Sequence, residues 1–95
     1  MRPEGATVEE MYDAIRGIVA AASGANLDDL ASASRVGNRL LLFSRPGDQA
    51  FGVLRDLEDA AWRAVNRRRY ASDHTDTDHA LIEAVERAQR FLGST

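Results

Sequence analysis

The stretch from Asp48 to Arg69 constrains the fold most, because its apolar residues keep a helical period from end to end. At 3.6 residues per turn, Ala50, Val53, Leu54, Leu57, Ala60, Ala61, Ala64 and Val65 fall on one face. Arg55, Asp56, Asp59, Arg63, Asn66 and Arg67 fill the opposite one. The apolar arc is wider than one neighbour needs, so this helix is expected to pack against at least two others.

The flanking segments supply the neighbours. Thr7 and Glu10 have the spacing of a capping box, in which the two side chains satisfy the free N–H groups of a helix start. Val8, Met11, Tyr12, Ile15, Ile18, Val19 and Ala22 then share one face, and Ser23 and Gly24 are expected to end the helix through a left-handed glycine. Asn26 caps a second helix with Asp28 and Asp29 in its first turn.

Within that second helix Leu27, Leu30, Ala31 and Ser34 keep one phase, and at Val36 the phase jumps. Val36, Leu40 and Phe43 point elsewhere, with Gly37 and Asn38 at the discontinuity. One helix buried on two sides, two short helices hinged at 35–38, or a buried strand at 40–43 would each fit. The hinged pair is the expectation, since a lone strand leaves its backbone groups unpaired. Pro46 and Gly47 mark a turn, Asp48 is placed to cap the long helix, and Thr75 or Asp76 to cap a last one. The last helix buries Ala80, Leu81, Ala84, Val85, Ala88, Phe91 and Leu92. The fold class expected is all-α, a compact bundle of four main helices with the second broken near Gly37. Residues 1–6 are expected to be disordered and 7–93 to form a single helical domain.

Composition narrows the chemistry. Without cysteine there is no disulfide, no thiolate nucleophile and no Cys-ligated metal. No apolar run approaches the roughly 20 residues that span a bilayer, so a soluble, cytoplasmic chain is expected. All 12 basic residues are Arg. Eight of them lie in 35–69, which makes the middle of the chain basic between two acidic ends.

Three constellations are candidates for function. Phe51, Arg55, Glu58, Trp62, Val65 and Arg69 are spaced alternately by four and three, as in a seam where one helix meets another. Trp and Arg are also enriched at interface hot spots. Phe51, Arg55, Trp62 and Arg69 are therefore the expected contact residues for a protein partner or a second copy. Second, the segment 30–41 resembles a helix-turn-helix, with Ala31 as the small residue, Val36 at the turn exit and Leu41 in the reading helix. That resemblance implies DNA contacts from Asn38, Arg39 and Arg45, with Arg35 near a phosphate, all within 27–45. It departs from the motif at Arg35, where the turn usually carries Gly, and at the apolar run Leu40 to Phe43. Third, both histidines lie among acids in 73–79, and His74, His79 and Glu83 are weak candidates for a divalent metal. Capping explains the Asp and Thr residues there equally well.

No Gly-rich phosphate loop and no G-x-S-x-G nucleophile elbow is present. The expected function is a non-enzymatic interaction module, a regulatory or adaptor protein that self-associates, with no cofactor. A DNA-binding regulator is the alternative, and a metal-dependent enzyme using His74 and His79 a more distant one.

Overall fold

A computed structural model describes residues 7–24, 26–43 and 49–93. They form four helices: α1 (Val8–Ser23), α2 (Leu27–Leu42), α3 (Gln49–Tyr70) and α4 (Thr75–Gly93). α3 packs against each of the other three. α1 touches α2, α3 and, more thinly, α4, while α2 and α4 do not meet. The pair α1 and α3 is thus the middle of the bundle, flanked on one side by α2 and on the other by α4.

The apolar periods dictate this arrangement. Ile15 and Ile18 of α1, Leu30 of α2, and Leu54, Leu57 and Val65 of α3 are fully buried. Around them Ala31, Ala60, Ala61, Ala64, Ala84 and Ala88 are buried as well, and such small side chains let the helix axes approach closely. Tyr12 meets Phe91 edge to face at 5.1 Å between ring centroids, which joins α1 to α4.

The helix starts at Thr7 and Asn26 are as expected. Thr7 accepts the Glu10 N–H at 3.1 Å and donates its hydroxyl to the Glu10 carboxylate. Asn26 accepts from the N–H groups of Asp28 and Asp29. Two other expectations are corrected. Gly24 is extended, with φ −87°, so it is not the left-handed residue expected there. α4 is capped earlier than expected: Asp73 accepts the Thr75 N–H at 3.1 Å, and Thr75 and Asp76 lie inside the first turn. The residues Met1 to Ala6 and the expected cap Asp48 lie outside the described residues.

The main correction concerns Gly37. α2 runs unbroken from Leu27 to Leu42, and Gly37 is buried in its middle rather than at a hinge. A Cβ on Gly37 would sit 3.2 Å from Ile18 Cδ1 and 3.2 Å from Leu54 Cδ1. Glycine is there because α2 presses on α1 and α3 at the same point. The buried stripe of α2 is Leu30, Ala31, Ser34 and Gly37, and its last two members are too small or too polar to register as apolar. What looks like a phase jump is therefore a second stripe on the same helix.

Candidate interaction face

That second stripe lies on the surface. Val36, in the middle of α2, is 53% exposed and Phe43, at its C-cap, 69%. Leu40 is half-buried against the edge of the core. Residues three and four apart stack on one helix face, so Ala33, Val36, Leu40 and Phe43 form a continuous line. Beside it, toward α1, is an open groove of about 340 Å³. Ala33, Val36 and Leu40 form one wall; Glu10, Asp13, Ala14 and Gly17 of α1 form the other. Nothing lies within 4 Å of a Cβ placed on Gly17, so this part of the floor is bare backbone open to a visitor.

The two lips of this face differ in charge. On the α1 side stand Glu10 and Asp13, the latter holding Arg16 at 3.0 Å in a well-exposed pair. On the far side of the α2 stripe stand Arg35 and Arg39, both exposed and in no ion pair among the described residues.

The α3 edge is differently placed. Arg69 reaches across to Asp28 at the start of α2 at 3.0 Å. Glu58 packs near Gly37 and is hydrogen-bonded by Asn38. Val65 is fully buried and Phe51 packs against the core. The seam with coiled-coil spacing thus faces α2 of the same chain. Trp62 lies at its rim, 37% exposed, and Arg55 is exposed beside Asp56 at 3.6 Å. Burial, then the charge of Asp59, pushes the Glu58 carboxyl above its ordinary value, against the pull of the Asn38 hydrogen bond.

Of the DNA-contact candidates, Arg35, Asn38 and Arg39 are exposed on one straight helix, and the turn that a helix-turn-helix requires between them and Leu30 is replaced by continuous helix. Arg45 lies outside the described residues.

The histidine segment joins helices. Asp78 accepts from Arg68 Nε at 3.0 Å and, with its other oxygen, lies 2.6 Å from His74 Nδ1. An ionised carboxylate only accepts, so that ring nitrogen carries the proton. Burial opposes the Asp78 charge, but the His74 and Arg68 hydrogen bonds and charges outweigh it and hold the carboxyl below its ordinary value. The exposed Asp73 carboxyl is lowered too, chiefly by the backbone N–H of Thr75. This clasp fastens the N-terminus of α4 to the C-terminus of α3. His74 is engaged there and not with His79 and Glu83, which are exposed further along α4; among the described residues no three His, Asp or Glu side chains converge as a metal would need. No helix among the described residues is long and apolar enough to cross a membrane.

No known protein family, curated protein or solved structure matches this chain.

Sequence reasoning did not select Glu10, Asp13, Gly17, Val36 or Leu40 as contact residues. The signal for the last two was the phase jump, a second apolar stripe that the first stripe's packing does not use.

Proposed function

We propose that this chain is a non-enzymatic helical interaction module, a small regulatory or adaptor protein, and that it works through the face shared by α1 and α2. The observation that carries this reading is Val36. It is a β-branched apolar residue in mid-helix, half exposed, at the wall of an apolar groove. Burying the exposed half of such a side chain contributes roughly 1 kcal/mol, and an apolar stripe rimmed by charge is the usual anatomy of a protein contact. The α3 edge offers less, because most of its seam is occupied by α2.

A photo-crosslinking amino acid at position 36, with one at the exposed Arg87 of α4 as control, tests the reading in cells of the native host. Position 36 is expected to give discrete protein adducts and position 87 none. Adducts at neither position, or at 87 alone, would refute it.

A further inference from the structure

We draw no further inference here: the strongest candidate, the apolar stripe of Val36, Leu40 and Phe43 on α2 with the groove it shares with α1, belongs to the face already described, and nothing in the structure shows what covers it.

Discussion

Two glycines one helix apart give a controlled test of how α2 packs. Gly37 and Gly17 are both inside helices, so replacing either with Ala brings the same gain in helix propensity, about 1 kcal/mol. Their surroundings differ. A methyl at position 17 meets nothing within 4 Å, whereas one at 37 meets Ile18 and Leu54 at 3.2 Å each. Gly17→Ala should therefore stabilise the fold by about 0.5–1 kcal/mol, a rise of roughly 4–8 °C per kcal/mol for a domain of this size. Gly37→Ala should come out near neutral, because the propensity gain is offset by a few tenths of an ångström of forced movement in two methyl groups. Gly37→Leu should lose about 2 kcal/mol, an overpacking cost of up to about 3 kcal/mol less the propensity gain. Urea unfolding followed by circular dichroism resolves these differences, since about 1 kcal/mol moves the midpoint by up to about 1 M. If Gly37→Leu were as stable as wild type, or Gly37→Ala as stabilising as Gly17→Ala, α2 would not be wedged between α1 and α3, and the continuous-helix account would fail.

Asp78→Asn should lower stability near neutral pH by up to about 1 kcal/mol, since the clasp is partly exposed and screened. The folded Asp78 carboxyl lies below its ordinary 3.8, so its contribution is complete above that value and disappears as pH falls through the folded value. Melts of variant and wild type should therefore converge in acid, and a gap that persists there would mean the loss was steric. Ser34 is buried with its hydroxyl unpartnered among the described residues, so Ser34→Ala should be neutral or stabilising by about 1 kcal/mol in a thermal melt; a clear loss would reveal a partner for the hydroxyl. Labelled duplex DNA at low salt should not be retarded by the chain in a gel. Retardation that Arg39→Ala abolishes would instead favour the nucleic-acid reading of α2.

The helices were readable where a side chain both caps and points. Thr7 and Asn26 name the starts of α1 and α2 through their oxygens, and the wide arc of α3 implies several neighbours, of which it has three. Gly37 misled for a physical reason. A glycine in sequence has one look whether it breaks a helix or admits two neighbours, and only the approach of Ile18 and Leu54 distinguishes the cases. The α3 seam was real as spacing, yet spacing does not say which helix fills it, and α2 of the same chain does so through Arg69 to Asp28 and Glu58 to Asn38. The α2 face was half legible: the stripe is in the sequence, but the lip formed by Glu10 and Asp13 comes from another helix and stands beside the stripe only once α1 and α2 are packed.

The measurement that bears most directly on self-association through the α1–α2 face is the amide correlation spectrum of the isotope-labelled chain, recorded from micromolar to millimolar concentration. The account predicts shifts or broadening that grow with concentration and gather at Glu10, Asp13, Gly17, Val36, Arg39 and Leu40. Changes that gather instead at Phe51, Arg55, Trp62 and Arg69, or a spectrum unchanged across the range, would contradict it.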